Sequence, residues 1–217
     1  MSDTLVSPEV YKENVDFWAR AWNGVRAPYK QLPELEYLPR IPSVFELKKP
    51  GPILDLGCGS GWLSIFMARH DFDVVGVDLA PHAIELGKIW ANDESLKIDF
   101  QVQDIADMHF PPKHFAGIIA NSIFEHLTLA LAQKTVQQME TIMQPGGLFF
   151  GCFDKVGTGP GEYYKLADGT QVYTDKGRAG MMLRCFSDDE LHALFANWKI
   201  LEISSLDTGT RVLIATI

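Results

Sequence analysis

The stretch Ile53-Leu54-Asp55-Leu56-Gly57-Cys58-Gly59-Ser60-Gly61 decides how this chain folds. Its first four residues read as a short buried strand that breaks at Gly57. Leu63, Phe66 and Met67 then recur at a spacing of three and four, as on one face of a helix. Glycines at alternate positions between the two let the backbone turn sharply and bring bare peptide groups against a ligand. The N–H groups that open the following helix would face an anion.

The pattern repeats outward. Val74-Val75-Gly76-Val77 is a second apolar run ending at Asp78, and Pro81 stands where a helix would begin, with Ile84, Ile89 and Trp90 directed at a core. Ile98, Phe100 and Val102 alternate as a strand that runs into Asp104. Residues 115–120 form another apolar run, followed by a helix over about 130–143 that Pro145-Gly146-Gly147 stops, and residues 148–153 read as a fifth strand. Ser187 and Glu190 make a capping box for a helix reaching Trp198. Two β-rich runs, 200–206 and 212–217, join through Asp207-Thr208-Gly209 as a hairpin. Strands alternating with helices and closed by a hairpin predict an α/β fold, a doubly wound, mostly parallel sheet with one antiparallel strand at the end.

Two stretches interrupt this alternation. Prolines at 28, 33, 39, 42 and 50 exclude a long helix from residues 24–52. Ahead of them Tyr11, Val15, Trp18, Trp22 and Val25 fall on one helical stripe, either a docking surface or a lid over a ligand. Residues 155–185 are glycine-rich, and Tyr163, Tyr164 and Tyr173 within them either clamp a substrate or form a packed flap. We expect residues 1–49 to be a helical, proline-rich cap and residues 50–217 the main domain, with a lid-like insertion at 155–185.

With 217 residues, 47% of them apolar and 22% charged, the chain has the composition of a globular domain rather than a disordered one. Lys plus Arg number 19 against 28 Asp plus Glu, a formal charge of −9. Such a surface repels phosphate backbones, and the longest basic cluster is Lys48-Lys49, so a nucleic-acid partner is not expected. Neither is a membrane, since no run approaches the ~18 apolar residues of a span. Met1-Ser2-Asp3-Thr4-Leu5 has neither the basic start nor the apolar run of a secretory signal. Cys58, Cys152 and Cys185 cannot all pair and none belongs to a Cys-x-x-Cys, as expected of reduced thiols in a cytoplasmic protein.

In open α/β sheets the ligand lies at the carboxyl ends of the strands. Counting from Gly57, the third glycine of a dinucleotide fingerprint would fall at Trp62, so that pattern fails, and Asp55 is an awkward neighbour for a pyrophosphate. A ligand bearing an ammonium and a carboxylate suits the loop better, with Asp55 balancing the first and backbone N–H groups holding the second. Asp78 can accept two hydrogen bonds from a ribose diol. Asp104 can reach the amino group of an adenine while Ile105 covers the ring. Asn121-Ser122-Ile123-Phe124-Glu125-His126 lies across the cleft, where a reacting group would sit.

The glycine stretch resembles motif I of the class I S-adenosylmethionine-dependent methyltransferases. Residues 74–79, 102–105, 115–127 and Gln144-Pro145-Gly146-Gly147 follow in that family's order and spacing, so the resemblance covers about residues 50–154 plus the closing hairpin. It implies a Rossmann-like, seven-stranded sheet with its last strand inserted antiparallel, and a catalytic domain over 50–217 that binds S-adenosylmethionine and methylates a small-molecule acceptor in line. By the same resemblance Asp55, Gly57, Cys58, Gly59 and Gly61 would surround the methionine part of the cofactor. Asp78 and Leu79 would hold the ribose and adenine edge, Asp104 and Ile105 the adenine, and Asn121 would lie under the methionine moiety. His126 is the candidate general base, its ordinary pKa suiting the deprotonation of a hydroxyl or an amine. Trp22, Ser122 and Tyr163 are candidate acceptor contacts. Ala116 departs from the family's frequent Phe-Asp-x-Ile at the start of a strand. Some relatives carry a Glu-x-x-Glu-His run that binds a divalent metal; here Ser122 replaces the first Glu, and no metal is expected. Two other readings share the sheet: a cofactor-binding regulatory protein without turnover, and a nicotinamide-dependent oxidoreductase.

Overall fold

The computed structural model describes residues 6–48, 51–154 and 161–217. Five strands come first, β1 (Ile53–Leu56), β2 (Val74–Asp78), β3 (Ile98–Val102), β4 (Phe115–Asn121) and β5 (Met143–Phe153). Three short ones, β6 (Tyr163–Lys165), β7 (Gln171–Tyr173) and β8 (Met182–Leu183), make a separate antiparallel sheet before β9 (Lys199–Ser205) and β10 (Arg211–Thr216) return to the main one. The main sheet has seven strands in the order β3-β2-β1-β4-β5-β10-β9. β1 to β5 are parallel neighbours, while β10 runs antiparallel between β5 and β9. The doubly wound sheet with an inserted antiparallel strand is therefore observed.

Helices α1 (Pro8–Asn23), α2 (Ile41–Phe45), α3 (Trp62–Ala68), α4 (Pro81–Asp93), α5 (Leu129–Ile142) and α6 (Asp188–Leu194) complete the fold. All four β1 residues are buried because helices cover both faces of the sheet. On one side Phe124, Phe149, Phe153 and Phe195 build an aromatic cluster, and on the other Ile41 and Phe45 pack with Ile53, Leu63 and Met67. Gly117 is a packing glycine: a Cβ there would lie 2.4 Å from the Phe45 ring.

Several local expectations need correction. Ile89 is 49% exposed, since the buried arc of α4 holds Ala83, Ile84, Leu86, Gly87, Trp90 and Ala91 and leaves it outside. Val102 is exposed and Ile98 only half-buried because β3 is an edge strand. Pro145-Gly146-Gly147 does not end the helix before it. α5 stops at Ile142, and β5 already begins at Met143. α6 ends at Leu194 rather than at Trp198, although its capping box of Ser187 and Glu190 forms as expected. The Lys49–Pro50 boundary, residues 1–5 and residues 155–160 of the insertion lie outside the described residues.

Candidate functional site

The loop after β1 owes its shape to three left-handed residues, with φ of 68° at Gly57, 54° at Gly59 and 83° at Gly61. A Cβ would lie 2.5 Å from Ile123 at position 57, 2.8 Å from Trp22 at 59 and 2.5 Å from Phe100 at 61, so conformation and space both require glycine. Cys58 donates its N–H to the Val77 carbonyl at 2.8 Å, which ties the loop to the end of β2. Its thiol is buried, and burial pushes its pKa up, the opposite of what a thiolate nucleophile needs.

Two carboxylates flank this loop. Asp55 lies behind it, 2% exposed, where its Oδ2 accepts from Ser64 Oγ at 2.5 Å. Burial lifts its pKa to about 7 in spite of that bond. Asp78, at the end of β2, accepts the Gly59 N–H at 2.9 Å on one oxygen and the Ala80 N–H at 2.8 Å on the other. Burial raises its pKa and the two backbone donors oppose that rise.

α1 lies over the loop. Ser7 caps it, its Oγ accepting from the Val10 N–H at 3.3 Å, and Pro8 opens the first turn. The helix donates the Tyr11 hydroxyl to Asp104, whose other oxygen takes the Ala106 N–H at 2.8 Å. Trp18 meets the His126 ring edge-on, with centroids 4.6 Å apart, and Trp22 stands against Gly59. Together with Gly57, Asp78, Leu79, Ile105 and Ser122, these side chains enclose a cavity of about 120 Å³. Tyr11, Trp18 and Trp22 of the N-terminal stripe line this cavity, and Val25 falls beyond the helix.

His126 ends a short 3₁₀ turn, Phe124–His126. Its Nδ1 lies 3.1 Å from the Met182 carbonyl, which can only accept, so Nδ1 carries the proton and Nε2 keeps a lone pair. Burial lowers its pKa, and the ring is neutral at neutral pH. Glu125 turns the other way. It is 2% exposed, one oxygen accepts the Asp154 N–H, the other has no partner, and burial lifts its pKa to about 8. Among the described residues no three His, Cys, Asp or Glu side chains are grouped to hold a metal ion.

Asn121 does not line the cavity beneath α1. It lines a neighbouring one of about 350 Å³, to which Ser122 also belongs, and its Oδ1 accepts the hydroxyl of Tyr37. Asp55, Cys58 and Gly61 shape the loop from behind without lining the first cavity. Tyr163 lies outside both. It sits on the small sheet against Tyr173, with ring centroids 5.4 Å apart. Sequence reasoning did not single out Asn14, which lines the first cavity and whose Oδ1 accepts the Met182 N–H at 3.2 Å, nor Tyr37, nor the Tyr11–Asp104 contact. Tyr11 carried a signal, its place on the helical stripe, whereas Tyr37 sits in a proline-rich stretch without period.

Residues 53–147 match the methyltransferase domain family. A ubiquinone biosynthesis O-methyltransferase of Xanthomonas campestris pv. campestris is 29% identical over 134 residues, 61% of this chain and 55% of that protein. Its namesake from Coxiella burnetii is 33% identical over 104 residues, 48% of this chain and 44% of that one. The chain thus spans about half the length of the curated relatives it matches. Among solved structures, a methyltransferase of Methanosarcina mazei described as SAM-dependent superposes with a TM-score of 0.66 at 20% identity, covering 81% of this chain and 96% of that one. The 1,6-didemethyltoxoflavin-N1-methyltransferase of Burkholderia thailandensis, solved with 1,6-didemethyltoxoflavin and S-adenosylhomocysteine, gives 0.68 at 18% identity, covering 100% and 92%. These structures share the fold of this chain.

Proposed function

We propose that this chain, whose residues 53–147 match the methyltransferase domain family and form part of a seven-stranded, mostly parallel sheet, binds S-adenosylmethionine and passes its methyl group to a small-molecule acceptor. The observation that carries the proposal is the cradle of Gly57, Gly59 and Gly61 with Asp78 at the next strand end. The residues fit the cofactor in kind: bare peptide groups for its amino-acid tail, and a carboxylate at each of two successive strand ends for its sugar and base. They do not fit it in volume as they stand. About 120 Å³ is less than the ~300 Å³ of the smallest usual ligand pockets, and in this reading α1 moves back as the cofactor enters.

When bound, the cofactor supplies an activated methyl on a sulfonium, which leaves the chain mainly the work of positioning, worth ~7–11 kcal/mol in well-oriented reactions. Asp78 exchanges its backbone donors for the ribose diol, and Leu79 and Ile105 cover the base. Asp104 takes the adenine amino group once Tyr11 withdraws. Asp55 balances the ammonium from behind the loop, and Asn121 stands at the border with the neighbouring cavity. His126 Nε2 is the lone pair available for an acceptor's proton. α1 then keeps water out.

A small acceptor is supported by the names of the relatives, one of ubiquinone biosynthesis and one of a toxoflavin precursor. A charge of −9 speaks against nucleic acid. No helix among the described residues is long and apolar enough to cross a membrane, and the free cysteines fit a reducing cytoplasm. Calorimetric titration of S-adenosylhomocysteine into wild type and Asp78→Ala tests the site. We expect binding by wild type and at least tenfold weaker binding by the variant. Equal affinities, or no binding by either, would overturn the proposal.

A further inference from the structure

The cavity beyond Ser122 is one-sided in charge. Its volume is about 350 Å³, and among the described residues Glu34, Glu36, Asp154, Tyr37 and Trp62 line it without any Lys, Arg or His. Among the described residues, the two nearest arginines are engaged elsewhere. Arg40, beside Glu36, pairs with Glu202 at 2.8 Å, and Arg211, whose charge reaches Glu125, pairs with Asp188 at 2.7 Å. Thr210 Oγ1 donates to Asp154 Oδ1 at 2.9 Å and so orients that carboxylate. Behind it, Glu125 accepts the Asp154 N–H with one oxygen and leaves the other buried without a partner.

This chamber adjoins the cavity under α1, because Ser122 belongs to both. Asn121, beside it, is aligned by the Tyr37 hydroxyl. Carboxylates next to aromatic rings favour an organic cation, through charge-assisted hydrogen bonds and ring faces. They reject an anion by like-charge repulsion.

We infer that this second cavity holds the methyl acceptor by a cationic amine, while a hydroxyl of the same molecule reaches past Ser122 towards His126, gives its proton to that ring and takes the methyl as the carbon–sulfur bond breaks. That it is an acceptor rests on the methyltransferase reading above; that the cavity selects a cation does not.

The probes are tyramine, its anionic counterpart 4-hydroxyphenylacetate and the neutral 4-ethylphenol. Each is titrated by calorimetry into the full chain, with and without saturating S-adenosylhomocysteine. We expect tyramine to bind at least tenfold more tightly than the other two. The triple variant Glu34→Gln, Glu36→Gln, Asp154→Asn should lose at least tenfold in tyramine affinity and keep its S-adenosylhomocysteine affinity within twofold. If its melting curve shows that it does not fold, the double variant of the two exposed glutamates is read instead, against the same criterion. Equal binding of the three probes, binding of none, or tyramine affinity unchanged in the variant overturns the inference. Tyramine selectivity without S-adenosylhomocysteine binding would sink the methyltransferase reading and leave the cation site standing.

Discussion

A methyl group at position 59 would meet two obstacles together. The backbone there is left-handed, φ 54°, which costs an L-residue roughly 1–2 kcal/mol, and the new carbon would sit 2.8 Å from the Trp22 ring. Gly146 isolates the first effect, since its φ is 74° and nothing stands within 4 Å of a Cβ. Both Gly59→Ala and Gly146→Ala should therefore lower the melting temperature by a few degrees, at ~2–4 °C per kcal/mol for a chain of this size. Only Gly59→Ala should also weaken S-adenosylhomocysteine binding, by tenfold or more. Melting curves and calorimetry on the pair check this, and equal ligand affinity in the two variants would contradict it. At this scale the sequence was legible wherever the chemistry is local. Three alternate glycines and an acid at the next strand end can be seen in a line of text. The Tyr37–Asn121 and Tyr11–Asp104 contacts join residues 84 and 93 positions apart, and nothing in the spacing of either pair announces a contact.

Elements were readable because burial writes a period into them, and unreadable where burial is partial. β1, β2 and β4 are covered on both faces and appear as apolar runs, whereas edge strand β3 buries only Phe100 and leaves its alternation misleading. β6, β7 and β8 span only three, three and two residues, too few to show any period. α1 has a clear stripe, yet a stripe alone cannot say what it covers. Its Tyr11–Asp104 bond occupies the carboxylate proposed for adenine, so it opposes cofactor entry. Hydrogen bonds to a charged group are worth ~1.5–3 kcal/mol. Tyr11→Phe should thus raise S-adenosylhomocysteine affinity about tenfold, chiefly through a faster association rate. Stopped-flow fluorescence can follow this, since Trp18 and Trp22 ride on the same helix. Slower association or weaker binding would mean that Tyr11 clasps the helix over the ligand rather than holding it against entry.

The whole molecule stores several protons that its unfolded chain would give up. Burial lifts Asp55 to about 7 and Glu125 to about 8, and it raises Asp78 as well. Unfolded carboxyls titrate near ~4. Between these limits the native state binds more protons than the unfolded one, so stability from these groups is complete below pH ~4 and is lost as pH climbs through 7 and 8. Urea unfolding from pH 5 to pH 9 should show that decline. Glu125→Gln should flatten it by on the order of 2–4 kcal/mol, and an unchanged slope would refute the assignment. The sheet order was legible as a whole because alternating strands and helices admit few arrangements. The chambers around the glycine loop were not, because they form between stretches remote in the chain. The same topology bears on biosynthesis. β10 is an interior strand, hydrogen-bonded to β5 on one side and β9 on the other. Until residues 211–216 leave the ribosome, the nascent chain carries β5 with a bare edge, open to wrong partners. Sheet closure therefore waits for residues 211–216, and a chain truncated before position 211 would leave β5 unpaired on that side and be prone to aggregate.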